Sequence, residues 1–179
     1  MKRLIILFLT FIGCSKIDSE GFKTYKIKKN RHRSGYRYKA DKRNLIEFQV
    51  IFNESAIYTS KSAHNQADIN KLYGVSDCGR NHMEYSIRFG WRYYEGKLQI
   101  LWFKHTGGFF TYGIIKEVQI NEIINCSLEI TEDHYILGVD GWHALTDRTC
   151  MKNYKRYYLY PYFGGDETAP HDITIKIKD

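Results

Sequence analysis

Hydrophobic positions in this chain recur at every second residue far more often than at every third or fourth. The alternation runs through LIEFQVIF (45–52), YSIRFGWRY (85–93), KLQILWFK (97–104), CSLEIT (126–131), HYILGVD (134–140), KRYYLY (155–160) and DITIKIK (172–178). Successive side chains of a strand point to opposite faces, so this period predicts strands with one buried face. Only HNQADINKLYG (64–74) departs from it, and there a single helical turn is expected. Many short strands joined by glycine-bearing turns predict an all-β antiparallel β-sandwich.

Two hairpins can be registered by pairing. A turn at Tyr94-Glu95-Gly96-Lys97 sets Arg92 opposite Gln99, Arg88 opposite Phe103 and Ser86 opposite His105. The other face then carries Ile87, Phe89, Trp91, Tyr93, Leu98, Ile100 and Trp102, a largely apolar set that belongs in a core. A second hairpin turns at Glu132-Asp133 and stacks Cys126, Leu128 and Ile130 on Val139, Leu137 and Tyr135. Val139-Asp140-Gly141-Trp142 is a further tight turn. The only two prolines, Pro161 and Pro170, bracket Gly164-Gly165 and precede the alternating Ile173, Ile175 and Ile177. They read as a corner that feeds a closing core strand.

The N-terminus changes the picture. Lys2 and Arg3 precede an apolar run from Leu4 to Ile12, far short of the roughly 20 residues a spanning helix needs. It reads as a secretory signal, and Phe11-Ile12-Gly13-Cys14 resembles the bacterial lipobox. That resemblance implies cleavage after residue 13, a lipid on Cys14 as membrane anchor, and, with Ser15 following, sorting to the outer membrane. Residues 14–22 become a tether and 23–179 a sandwich domain; removing 13 of 179 residues leaves 166, enough for one core. Three cysteines remain, and an oxidising compartment allows one disulfide among three pairings. Cys126 lies in an apolar alternation, whereas Cys78 and Cys150 lie in the loop-like SDCGRN and DRTCMK and are the favoured pair.

Charge is unevenly spread. Residues 23–43 carry ten Lys or Arg against Asp41, a net +9; with +2 in the signal and +7 overall, the remainder sums to −4. A basic stripe can bind nucleic acid, but an exported lipoprotein does not meet it. Lipid headgroups or an acidic polysaccharide are the expected partners, besides a solvated first strand.

The stretch YSIRFGWRYYEGKLQILWF, the turn in HYILGVDG and the ending YYLYPYFGG…APHDITIKI are similar to concanavalin-like jelly-roll domains. DINKLYGVSDCG, SIRFGWR and LYPYFGGDETAPHDITI together resemble small exported bacterial lipoproteins. The resemblance implies a jelly-roll sandwich and sugar recognition on a concave face.

Candidate chemistry follows from the polar face of the first hairpin. Arg88, Arg92, Gln99, Phe103 and His105 would form a ligand-binding face, since guanidinium forks take carboxylates in two-point fashion and a ring can stack on a sugar. That suits uronic or sulfated glycans bound without catalysis. A lyase variant would use an arginine to neutralise the sugar carboxylate and His105 with Tyr94 or Tyr112 to move protons. A hydrolase variant rests on Glu117-Val118-Gln119-Ile120-Asn121-Glu122, similar to the E-x-D-x-x-E run of jelly-roll glucanases but with Gln119 in place of the central aspartate. An interaction subunit of an envelope complex needs no groove at all. Trp142 is a further stacking platform or a plug. The histidines show no zinc spacing, and no catalytic metal is expected; Asp166 and Asp172 could hold Ca²⁺ with backbone oxygens.

Overall fold

The computed structural model describes residues 17–36, 38–150 and 155–179. The signal segment and the lipidation candidate Cys14 lie outside these residues. Twelve strands are present among those described: β1 (Lys23–Ile27), β2 (Ala40–Asp41), β3 (Leu45–Phe52), β4 (Asn70–Ser76), β5 (Tyr85–Tyr94), β6 (Lys97–Thr106), β7 (Phe109–Val118), β8 (Ile124–Ile130), β9 (His134–Val139), β10 (Trp142–Asp147), β11 (Arg156–Leu159) and β12 (Ile173–Lys178). They form two antiparallel six-stranded sheets, ordered β1-β12-β3-β8-β9-β10 and β2-β11-β4-β5-β6-β7. The fold is a jelly-roll β-sandwich.

The alternation places the core. Ile46, Phe48, Val50 and Phe52 on β3, Leu128 on β8, Leu137 on β9 and Ile173, Ile175 and Ile177 on β12 face Ile87, Phe89, Trp91, Leu98 and Ile100 of β5 and β6. Each such side chain contributes about 1.5–3 kcal/mol on burial. The pairing of Arg92 with Gln99, Arg88 with Phe103 and Ser86 with His105 is the expected one. Glu95 and Gly96 both take positive φ, 52° and 76°, so the loop has two residues and the twist of a hairpin turn. Asp140 and Gly141 repeat the device between β9 and β10, at 43° and 83°.

Five strands differ from expectation. The stretch read as a helical turn holds one 3-10 turn at Ala63–Ala67 and then β4. β1, β2, β7 and β10 were not marked by alternation, because each lies at a sheet edge, where one face need not be apolar. On β7 the core side is further disguised: Gly113 leaves room for the Trp102 indole, which a Cβ would meet at 2.5 Å. Cys78 and Cys150 are joined, and Cys126 is buried and free. No peptide bond among the described residues is cis, the Tyr160-Pro161 bond included.

Candidate functional site

The outer face of the β2-β11-β4-β5-β6-β7 sheet is hollowed into a groove of about 1230 Å³. Lys71, Arg88, Phe103 and His105 from β4, β5 and β6 form its floor, and Phe110 and Tyr112 of edge strand β7 line one side. Residues 33–36 and 38, 81–83, 159–162 and 164–166 line the other. The proline-bracketed corner is therefore wall as well as closure. Gly164 takes φ +87°, and its N–H donates to Asn70 Oδ1 at 2.6 Å, which ties the wall to β4.

Arg88 sits at the centre of the floor. Its neighbour across the ladder is Gly74, where any Cβ would collide with the Arg88 backbone, so β4 presses against it at a bulge. Arg88 is 7% exposed, yet its guanidinium makes no hydrogen bond or ion pair among the described residues, and its Nε is buried without a partner. The other buried arginines, Arg92, Arg148 and Arg156, all donate to oxygen. Burial brings Arg88 down to about 10, so it remains charged at neutral pH, with the phenols of Tyr38, Tyr157 and Tyr162 in electrostatic reach. A buried cation without a counter-charge is costly. It makes sense where an anion arrives from outside.

Lys71 adds a second cation. Its Nζ donates to the carbonyls of Ile69 (2.8 Å) and Gly164 (3.3 Å) and lies 4.6 Å over the Phe103 ring. Burial first, and then the charge of Arg88, bring it down to about 8. Burial and the nearby cations likewise hold His82 and His105 at about 4, so both imidazoles are neutral at neutral pH.

Hydrogen bonding selects the His105 tautomer. Ser86 Oγ lies 2.7 Å from the His82 carbonyl, which can only accept, so the hydroxyl proton goes there. His105 Nδ1, 3.3 Å from the same Oγ, must then be the donor. The lone pair is left on Nε2, which has no partner among the described residues. The Tyr157 hydroxyl accepts the His82 backbone N–H at 2.9 Å and lies 3.0 Å from His82 Nδ1.

Of the expected ligand-binding residues, Arg88, Phe103 and His105 line the groove and three others do not. Arg92 Nε donates to Gln99 Oε1 at 2.8 Å and its NH1 to the Ala67 carbonyl at 2.9 Å. The 3-10 turn at Ala63–Ala67 closes over that end of the sheet, with Gln66 bonded to the Tyr93 carbonyl, so Arg92 and Gln99 satisfy each other under cover. Trp142 is 64% exposed on β10, at the edge of the opposite sheet. Glu117 is paired with Lys97 at 2.9 Å, and neither it nor Glu122 lines the groove, whose carboxylates are Asp68 and Asp166.

For Ca²⁺, Asp172 is already taken by Lys26 Nζ (2.7 Å) and the Lys29 N–H (2.8 Å), while Asp166 lines the groove. The one grouping of His, Cys, Asp and Glu side chains with metal-like spacing among the described residues is Asp77, Cys78 and Cys150, and its two sulfurs are bonded to each other.

Several groove residues gave no signal of their own. Lys71 was hidden in the segment read as helical, and Phe110 and Tyr112 in an unrecognised strand. His82 could have been reached through the disulfide, since it lies four residues beyond Cys78.

No family model matches the chain, and no curated protein does. Solved structures do. The alginate lyase AlyC3 aligns with TM-score 0.62 at 11% identity, over 90% of this chain and 74% of that one. A laminarinase catalytic domain from Thermotoga petrophila aligns with TM-score 0.57 at 13% identity, over 89% and 76%. A family 16 glycoside hydrolase from Bacteroides ovatus, in complex with an oligosaccharide product, aligns with TM-score 0.57 at 10% identity, over 90% and 81%. At these identities the shared property is the fold: the jelly-roll sandwich on which both polysaccharide lyases and glycoside hydrolases are built.

Proposed function

We propose that the groove binds an acidic polysaccharide with a uronate carboxylate on Arg88, and cleaves it by β-elimination. The carrying observation is the buried, unpartnered Arg88 guanidinium one strand away from a neutral His105 whose Nε2 lone pair is free. The alginate lyase likeness adds that this fold supports such chemistry, one AlyC3 structure being a complex with dimannuronate.

In this reading the carboxylate docks on Arg88, with Lys71 adding positive potential. Neutralising the sugar's charge acidifies the proton α to it. His105 Nε2 takes that proton, the electron pair forms a carbon–carbon double bond, and the β carbon–oxygen bond breaks. The departing oxygen takes a proton from one of the tyrosines near Arg88, Tyr157 or Tyr162. His105 is a poor base first through burial and then through the charge of Arg88, and binding the anion offsets the second.

Hydrolysis is less well served, because Glu117 and Glu122 stand outside the groove. Binding without catalysis uses the same contact at Arg88. One experiment separates these outcomes: the soluble domain is mixed with polymannuronate or polyglucuronate, and binding is followed together with ultraviolet absorbance of unsaturated uronate ends. New absorbance, lost in His105→Ala, is the expected result. Binding with no absorbance leaves a carbohydrate-binding module, and no binding removes the proposal.

The same proposal puts the domain on the outer membrane through a lipid on Cys14. Cys14→Ala should move the protein from the membrane to the soluble fraction; unchanged partitioning would exclude the anchor.

A further inference from the structure

The side of the groove formed by β7 carries a feature that carboxylate binding does not use. Phe110 is 59% exposed and Tyr112 is 49% exposed, although both face the groove. Their rings are nearly parallel, 19° apart with centroids at 6.5 Å, and Phe110 lies 17° from Phe103 at 5.4 Å. Three rings thus form a terrace that descends from the edge strand to the floor. Ile114, half exposed, extends it along β7.

The ladder fixes where this terrace lies. Tyr112 pairs with Phe103, and Phe103 pairs with Arg88, so the outer rings stand two strands from the guanidinium. That is about 10 Å, the length of roughly two linked pyranoses. No charged side chain stands among Phe110, Tyr112 and Ile114. Exposed parallel rings on a rigid strand suit the apolar face of a pyranose, which stacks without regard to charge.

Resting on the acidic-polysaccharide reading, we infer that Phe110 and Tyr112 form a distal stacking subsite for the same chain. The polysaccharide crosses the strands, with one uronate held on Arg88 and a sugar further along lying on the β7 rings. The occupant is an oligosaccharide long enough to reach both points. A charge is required only at Arg88, so the sugar on the terrace can be neutral or acidic.

The test is calorimetric binding of oligomannuronates of increasing length to the soluble domain, its Phe110→Ala/Tyr112→Ala double variant, and Arg88→Met, each carrying His105→Ala so that the oligomer is not cleaved during the titration. The double variant should bind the shortest oligomers normally and lose about ten- to a hundredfold in affinity for longer ones. Tyr112→Phe should keep full affinity, because the ring and not the hydroxyl is used. Arg88→Met should lose affinity at every length. If the double variant binds all lengths like the parent while Arg88→Met does not, the terrace is no subsite and the groove reading stands. If Arg88→Met also binds normally, the groove reading falls and takes the terrace with it. Equal losses at short and long lengths would overturn a distal subsite. So would a change in sedimentation from dimer to monomer with binding intact, which would make the terrace a contact between two copies.

Discussion

Arg148 and Arg88 are both buried and charged, and they are served in opposite ways. Arg148 Nε donates to Asp77 Oδ2 at 2.7 Å, its NH2 to Asp77 Oδ1 at 3.3 Å and its NH1 to the Thr131 carbonyl at 2.8 Å. The Tyr135 hydroxyl adds a bond to the same carboxylate at 2.6 Å, and the Cys78–Cys150 bond ties the two segments together. Arg88, on the groove floor, donates to nothing described. The first cation knits the chain to itself; the second has no such partner among the described residues and, in the proposed function, meets the ligand's carboxylate. Burial alone therefore does not separate Arg88 from Arg92, Arg148 and Arg156, whereas the presence of a hydrogen-bond acceptor for the guanidinium does.

The comparison breaks most easily at Arg148. Arg148→Ala leaves Asp77 buried without its cation and should cost about 3–5 kcal/mol in denaturant unfolding. If the loss is negligible, the cluster is not the structural knot described. Next in size is the disulfide, which closes a loop with a sequence separation of 72. Its removal in Cys78→Ser/Cys150→Ser should cost about 2–4 kcal/mol. It should also weaken polysaccharide binding, because the loop it pins carries His82 onto Tyr157.

Arg88→Met sharpens the contrast from the other side. Binding of a polyuronate should fall roughly a hundredfold, the value of a lost charge-assisted contact. Stability should stay level or rise by about 1 kcal/mol, since a buried unpaired charge is replaced by a thioether of similar length. An Arg88→Met protein that unfolds as readily as Arg148→Ala would mean that Arg88 serves the fold after all.

These two arginines also mark what could be read from the sequence. The β5–β6 register followed from alternation and one turn, so Arg88, Phe103 and His105 were correctly set on one face. The same alternation put Arg92 and Gln99 there, and it could not reveal that Ala63–Ala67 folds over them. Nor could it reach Lys71, His82 or Tyr162, which come from loops and a bulged strand brought in by tertiary packing. Strand periodicity reports which face a residue takes and is silent on what covers that face. The net +9 of residues 23–43 has a similar history. It reads as one stripe, but it divides into β1 on the far sheet and a crossing segment that delivers Arg33 to the groove.

The smallest expected effect is on pH, and it divides the two regions once more. In the Arg148 cluster the Tyr135 phenol is pushed far up, by burial and by the charge of Asp77. The groove does titrate. Lys71 is brought from 10.5 to about 8, so it is charged at neutral pH and loses its proton as pH rises through about 8. Affinity for an acidic oligosaccharide should therefore be flat below that value and fall about three- to tenfold above it, and Lys71→Met should flatten the curve. Folding stability moves in the other direction. Unfolded Lys71 holds its proton up to 10.5, and the unfolded chain binds more protons between about 8 and 10.5, so Lys71 adds stability as pH rises across that window. His82 and His105 act the same way lower down: neutral when folded to about 4 but protonated below 6.5 when unfolded, they remove stability as pH falls through that interval. Binding and unfolding followed on one buffer series should thus diverge above about 8, affinity falling while the Lys71 contribution to stability grows; parallel curves would mean that Lys71 does not face the ligand.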